Sequence, residues 1–255
     1  MVEHGSRRRT GIDPECLLEL NEGRVASRTL AEALSVDQAL LLENIFPFVN
    51  DELRSSFTQA QSLGILARMR HVGAALADSL DEEETARLAA HPSDTARGWS
   101  CFIVAAIDNI EPAELLTRIR PFADDPHFAV REWAWMAARS TLVTDLETSI
   151  GLLAEWADDD SERIRRFASE ALRPRGVWST HITALKVDPG LGLPILTPLR
   201  ADPSRYVQDS VANWINDAAK TNPDWARAHC RRWLTEYEPN AATERIARRA
   251  LRSLH

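Results

Sequence analysis

Glycine, cysteine and lysine are scarce in this chain. Its 255 residues include 10 Gly and 3 Cys. With so little glycine, no GxGxxG and no GxxxxGK[ST] occurs, which excludes the dinucleotide fingerprint and the P-loop. Cys16, Cys101 and Cys230 are far apart and odd in number. No CxxC pair exists, and no His stands at zinc-ligand spacing from a Cys or another His. Neither a disulfide framework nor a metal site is therefore expected. Reduced thiols in a cytoplasmic compartment fit this usage, each thiol packing as a small hydrophobe. No apolar run approaches the roughly 20 residues that span a bilayer, so no membrane partner is expected. The opening MVEHGSRRRT is not followed by an apolar stretch, so no signal peptide is expected. Residues 1–10, with Arg7, Arg8 and Arg9, read as a disordered basic tail.

A basic excess is lacking too. There are 38 acidic against 30 basic side chains, a formal net charge of −8, and this argues against a sequence-blind nucleic-acid coat. The average hides a gradient: residues 1–160 sum to −14 and residues 161–255 to +6. Such asymmetry points to an anionic partner for the basic part, although chance clustering on solvated helices accounts for it equally well.

What the chain does have is helical periodicity. Apolar residues recur at spacings of three and four almost throughout, and period-2 alternation is nearly absent. Four segments align with one another: from His91, from Asp125, from Asp160 and from Asp202. Their equivalent apolar positions are Ala96, Val130, Ile164 and Val207, spaced by 34, 34 and 43 residues, with a weaker fifth copy around Ile246. Each unit reads as helix, Asp/Pro turn, helix. In the second, the first helix is Glu111–Phe122, the turn Ala123–Pro126, and the second helix runs from about His127 to Thr141. Two-helix repeats of this length belong to the HEAT/armadillo class, which stacks because one unit cannot bury its own apolar stripe. The expected fold is all-α, a solenoid of HEAT-like helix pairs with a concave face for a large ligand. Residues 11–255 form a single domain in this reading, with 11–90 a helical cap and 91–255 the repeats. The cap helices are Asp13–Asn21, Ser27–Leu34, Asp37–Asn44, Asp51–Ala60 and Gly64–Ser79.

The segments LRPRGVW (172–178) and SRYVQDSVANWIND (204–217) resemble the AlkC branch of the HEAT-like-repeat alkylpurine DNA glycosylases, a superfamily that also includes AlkD. LNEGRVASRTL (20–30) and RALRSL (249–254) share the likeness, which extends over most of the chain. Some AlkC relatives carry an added immunoglobulin-like domain; since the sequence stops just after its last helix, that module is expected to be absent. The resemblance implies hydrolysis of the N-glycosidic bond of cationic alkylated bases in double-stranded DNA, as a step of base excision repair. The implied bases are 3-methyladenine, 3-methylcytosine and 1-methyladenine, released by a monomeric enzyme without metal or organic cofactor. The enzyme would be cytoplasmic, and nucleoid-associated when bound to DNA.

A cationic alkylated base is a good leaving group, so the chemical demand is stabilisation of an oxocarbenium-like sugar and placement of water. The family-matching carboxylates are Glu132, Glu170 and Asp217, with Trp178 as an aromatic wall whose face favours a cation. On the helix from Ser204, the residues Val207, Val211, Trp214 and Ala218 form an apolar face. Tyr206, Ser210, Asn213, Asp217 and Lys220 form a neighbouring polar one. Asp217 is expected to position water; an ordinary solvated Asp is the competing reading. Glu170 lies with Arg166 and Arg173 on the polar side of its helix, either as a catalytic carboxylate held by Arg or as an i,i+3/i,i+4 ion pair. Glu132 shares a face with Trp135 and Arg139. Trp99, Trp156, Trp225 and Trp233 read as packing residues. The DNA-contact set is Arg173, Arg175, Lys186, Arg205, Tyr206, Ser210, Asn213 and Lys220, with Arg245, Arg248, Arg249 and Arg252 behind it. The alternative function is a non-catalytic HEAT-repeat scaffold that binds protein or DNA.

Overall fold

A computed structural model of the chain describes residues 9–254. The expected tail therefore lies mostly outside the described residues, and its last part enters a 3-10 turn at Arg9–Gly11. Among the described residues all regular structure is helical, with sixteen α-helices and no strand. None of these helices is long and apolar enough to cross a membrane. The chain divides into two compact units, residues 1–110 with 125–138, and residues 111–124 with 139–255. The expected boundary between cap and repeats at residue 90 falls inside the first unit.

The first unit contains α1 (Pro14–Asn21), α2 (Leu30–Ala33), α3 (Gln38–Ile45), α4 (Asp51–Ala60), α5 (Ile65–Ala77), α6 (Glu82–Ala89) and α7 (Asp94–Ala105). Side-chain caps from Asp13, Thr29, Asp37, Asn50, Asp81 and Ser93 start six of these helices, each cap contributing about 1 kcal/mol. α6 was not among the expected cap helices. Its start is a reciprocal Asp81/Glu84 capping box, legible as Asp-x-x-Glu before an apolar position. α5 packs on α7, and Gly73 allows the approach: a Cβ there would fall 2.3 Å from the Phe102 Cβ. Trp99 is fully buried and meets Phe57 edge-on at 5.1 Å.

The second unit contains α8 (Pro112–Ala123), α10 (Leu146–Trp156), α11 (Glu162–Ala171), α12 (Thr183–Val187), α13 (Leu193–Leu196), α14 (Arg205–Ala219), α15 (Pro223–Glu236) and α16 (Ala241–Ala250). The helix α9 (Phe128–Thr144) has residues in both units. α14 packs against α11, α15 and α16. Trp156 rests beside Phe167, and Trp233 is buried. The long 43-residue interval of the sequence holds a loop, α12, α13 and two 3-10 turns in place of a single helix.

The repeat register is borne out atom by atom. Ala96, Val130, Ile164, Val207 and Ile246 are all fully buried. Three residues before each of the first four, Ser93, His127, Ser161 and Ser204 accept a backbone N–H at a helix start. Two residues earlier still, His91, Asp125, Asp159 and Asp202 each accept the N–H of that capping residue at 2.7–3.1 Å. The third repeat therefore starts at Asp159, a correction of one residue to the sequence alignment. One position after each buried apolar residue, Arg97, Arg131 and Arg165 donate through Nη1 to two turn carbonyls, five and six residues back. Gln208 does the same to the Asp202 carbonyl in the fourth repeat. Arg97 also donates to Asp125, and Arg165 to Asp202. The turns are thus held by side chains because a helix–helix corner leaves its backbone carbonyls without helical partners.

Candidate active site

The second unit encloses a polar seam between α11 and α14. On α11, Ile164, Phe167, Ala168 and Ala171 form the buried apolar face. Arg166, Glu170 and Arg173 follow one another at spacings of four and three. On α14 the apolar face is Val207, Val211, Trp214 and Ala218, and Ser210 and Asp217 lie one position behind Val211 and Ala218. Packing these helices together shuts both polar lines inside: Glu170 and Asp217 are each 3% exposed, and Arg173 is 9%. This burial rules out the competing reading of Asp217 as an ordinary solvated side chain.

Arg173 is the junction. Its Nη1 donates to Glu170 Oε1 at 2.6 Å, while Nε and Nη2 both donate to Asp217 Oδ2, at 3.0 and 2.8 Å. The second Glu170 oxygen accepts from Ser210 Oγ at 2.6 Å, and Arg166 Nη2 lies 3.5 Å from it. Ser169 Oγ donates on to Ser210 Oγ at 2.8 Å. Burial alone would raise the Glu170 pKa. The Arg166 and Arg173 charges and the Ser210 and Arg173 hydrogen bonds outweigh it, so Glu170 is held below the usual carboxylate range. Burial likewise opposes the charge on Arg173, but Glu170 and Asp217 overcome it and raise its pKa. Glu170 is an enclosed, fully satisfied anion.

Asp217 differs at its other oxygen. Among the described residues, Oδ1 accepts only from Lys220 Nζ, at 3.1 Å, and the Lys220 side chain is 46% exposed. One carboxylate oxygen is therefore fixed from inside by Arg173, and the other lies under a half-exposed ammonium. The loop after α11 reaches the same residue, because Arg175 Nε donates to the Asp217 carbonyl at 3.3 Å. That loop carries Trp178, which is 49% exposed with φ 57°. A left-handed backbone at a non-glycine costs about 1–2 kcal/mol and persists only where its surroundings determine it.

The sequence-predicted residues separate accordingly. Glu170, Asp217 and Arg173 come together, and Trp178 stands on the loop tied to Asp217. Glu132 belongs to the first unit, where its Oε2 accepts Trp135 Nε1 at 2.7 Å. Arg173 and Ser210 leave the DNA-contact set, since both are buried and donate to the carboxylates. Arg205 is exposed; Arg175, Lys186, Tyr206 and Asn213 are half-buried; Lys220 faces solvent. Arg166 stacks over the Tyr206 ring at 5.0 Å, and Asn213 accepts from Arg252 at 2.9 Å. Behind them Arg245 and Arg249 share Asp209. Three participants were missed from sequence: Ser169, Arg139 and the exposed His181, whose pKa is lowered by desolvation, Lys186 and Arg175. A signal existed only for Arg139, one helical face along from Glu132. Among the described residues, no three His, Cys, Asp or Glu side chains are placed to hold a metal ion.

The fold has counterparts among solved structures. The alkylpurine DNA glycosylase AlkC of Pseudomonas fluorescens, bound to DNA containing an abasic-site analogue, matches with a TM-score of 0.65 at 26% identity, over 95% of this chain and 62% of that one. AlkD2 of Streptococcus mutans matches with a TM-score of 0.54 at 20% identity, over 84% of this chain and 96% of its own. The chain has the AlkC/AlkD-type alkylpurine glycosylase fold. Among curated proteins, 118 residues are 42% identical to the uncharacterized protein YhaZ of Bacillus subtilis, 46% of this chain and 32% of that protein. No protein-family model matches the chain. The chain thus spans under two thirds of the AlkC chain, and its match spans about a third of YhaZ.

Proposed function

We propose that the chain is a DNA glycosylase that removes cationic alkylated bases, above all 3-methyladenine, and also 3-methylcytosine and 1-methyladenine, from double-stranded DNA. The observation that carries this reading is Asp217. It is a buried carboxylate with one oxygen locked by Arg173 and the other under a displaceable Lys220, beside a loop that presents Trp178. The AlkC/AlkD-type fold supports it, as does the DNA-bound state of the AlkC neighbour.

In this mechanism the C1′–N bond breaks and its electron pair leaves with the base, whose positive charge is neutralised. The base needs no proton, so the low pKa of Glu170 is no obstacle. Positive charge develops on the sugar. Asp217 stabilises it electrostatically through Oδ1 and orients the water that adds to C1′, whose proton passes to the carboxylate and then to solvent. Trp178 places an aromatic face against the cationic lesion or sugar. Glu170 touches neither; it keeps Arg173 charged and aimed at Asp217 Oδ2. Arg175, Lys186, Arg205 and Lys220 contact phosphates, with Tyr206 and Asn213 on the same face.

The test is a product profile. Incubation with N-methylated duplex DNA is expected to release free 3-methyladenine and leave abasic sites. Salt-dependent DNA binding without any released base would instead support the non-catalytic scaffold.

A further inference from the structure

α11 ends at Ala171 and leaves its last carbonyls without helical donors. Arg139, on α9 and 3% exposed, answers them. Its Nη1 donates to the Ala171 carbonyl at 2.7 Å, and Nη2 donates to the carbonyls of Arg173 at 2.6 Å and Thr180 at 3.2 Å. Trp214 Nε1 takes the Leu172 carbonyl between them at 3.0 Å. The loop closes on itself through Ile182 N–H to Pro174 O and Ser179 N–H to Gly176 O. One guanidinium therefore grips the chain five residues before Trp178 and two residues after it.

This grip has the marks of placement rather than of stability alone. Among the described residues, the head group of Arg139, a buried cation, bonds to carbonyls and to no carboxylate, and its Nε has no hydrogen-bond partner. Burial, and then the nearby Arg173, lower its pKa to about 10, which still leaves it charged at neutral pH. A well-packed apolar side chain fills such a space at least as favourably. What only a guanidinium supplies is a planar fork of donors that meets several carbonyls at set positions. Gly176 is shaped to it: a Cβ there would sit 3.1 Å from the Arg139 Cζ and 3.3 Å from each Nη. The same Nη2 bond fixes the backbone of Arg173, whose side chain clamps both carboxylates.

We propose that Arg139 is a positioning residue that sets the 172–182 loop, and with it Trp178, in register with the Glu170–Arg173–Asp217 clamp. Its catalytic consequence rests on the glycosylase reading; its structural consequence does not. Loss of the grip releases Trp178 from its left-handed backbone and slows base release. DNA affinity, which depends mostly on Lys186, Arg205 and Lys220 outside this loop, falls less.

The experiment incorporates 5-fluorotryptophan into the full chain and assigns the Trp178 resonance by Trp178→Phe. It then compares wild type with Arg139→Lys and Gly176→Ala. The second variant keeps Arg139 and crowds its head group, so the proposal stays testable if Arg139→Lys folds poorly. The Trp178 resonance is expected to shift or broaden in both variants, while the tryptophans other than Trp178 and the loop-bonded Trp214 hold theirs. Single-turnover release from N-methylated DNA is expected to fall at least tenfold, with affinity for abasic-site duplex within threefold. An unmoved Trp178 resonance overturns the proposal, as does a parallel loss of release, binding and melting temperature. If the wild type releases no base, the glycosylase reading fails alone and the fluorine spectra still decide the role of Arg139.

Discussion

Asp217 and Glu170 share one guanidinium but not one environment, and their substitutions should differ in kind. Asp217→Asn keeps the shape and removes the charge that faces the sugar. Release of 3-methyladenine is expected to drop about 10²-fold or more, while affinity for abasic-site DNA stays within threefold. Glu170→Gln leaves Arg166 and Arg173 buried with one carboxylate fewer. It is expected to lose stability by about 3–5 kcal/mol in urea unfolding, with a smaller loss of release per folded molecule. Lys220→Ala removes a phosphate contact and the cover on Asp217 Oδ1, so the log–log salt slope of DNA binding should flatten by about 1. An unchanged slope takes Lys220 out of the phosphate set. Glu170, Asp217 and Trp178 could be picked out because they match the AlkC-like segments; the burial of the two carboxylates could not be read from those segments. On a single helix, Glu170 and Asp217 stand beside the apolar stripe and look solvated; only the packing of α14 on α11 turns the two polar lines toward each other.

At the scale of elements, the helix starts were readable because Asp, Ser and Asn caps precede apolar periodicity. The arginine of the first three repeats was visible in the aligned segments, yet its task of holding the turn carbonyls depends on how the corner folds. Arg165 shows what that task is worth: it donates to Asp202, which is 5% exposed, and to the Asp159 and Asp160 carbonyls. Arg165→Ala is expected to lower stability by about 3 kcal/mol, read from the urea midpoint at unchanged slope. α15 contains a pH-sensitive element that the sequence did not announce. His229 is buried between Trp225, stacked at 5.0 Å, and Trp233 at 4.4 Å. Burial, followed by the charge on Arg232, depresses its pKa from 6.5 to about 4. The unfolded chain then binds a proton that the folded chain refuses, so stability is full above about pH 6.5 and declines as pH falls toward 4. A loss on the order of 3 kcal/mol across that window is expected, and His229→Phe should flatten it. Glu170, with its lowered pKa, adds a separate loss only at lower pH, as the medium falls through its folded value.

For the whole molecule, the charge gradient along the chain reads differently once the two compact units are known. Residues 161–255 are basic, but the second unit also includes the acidic stretches at 111–124 and 139–160. Its 19 Lys and Arg equal its 19 Asp and Glu. The first unit therefore carries the entire net charge of −8. For the proposed glycosylase, DNA affinity would then come from a few local cations rather than from a broad positive field. With Arg175, Lys186, Arg205 and Lys220 as the contacts, the slope of log affinity against log salt should be roughly −3 to −4. The most direct test of the account is single-turnover release of 3-methyladenine from N-methylated duplex DNA by wild-type and Asp217→Asn proteins, each saturating and each shown to bind abasic-site DNA. The account predicts rapid release by the wild type and at least a 10²-fold slower rate for Asp217→Asn at matched affinity. Equal rates in the two proteins would contradict it.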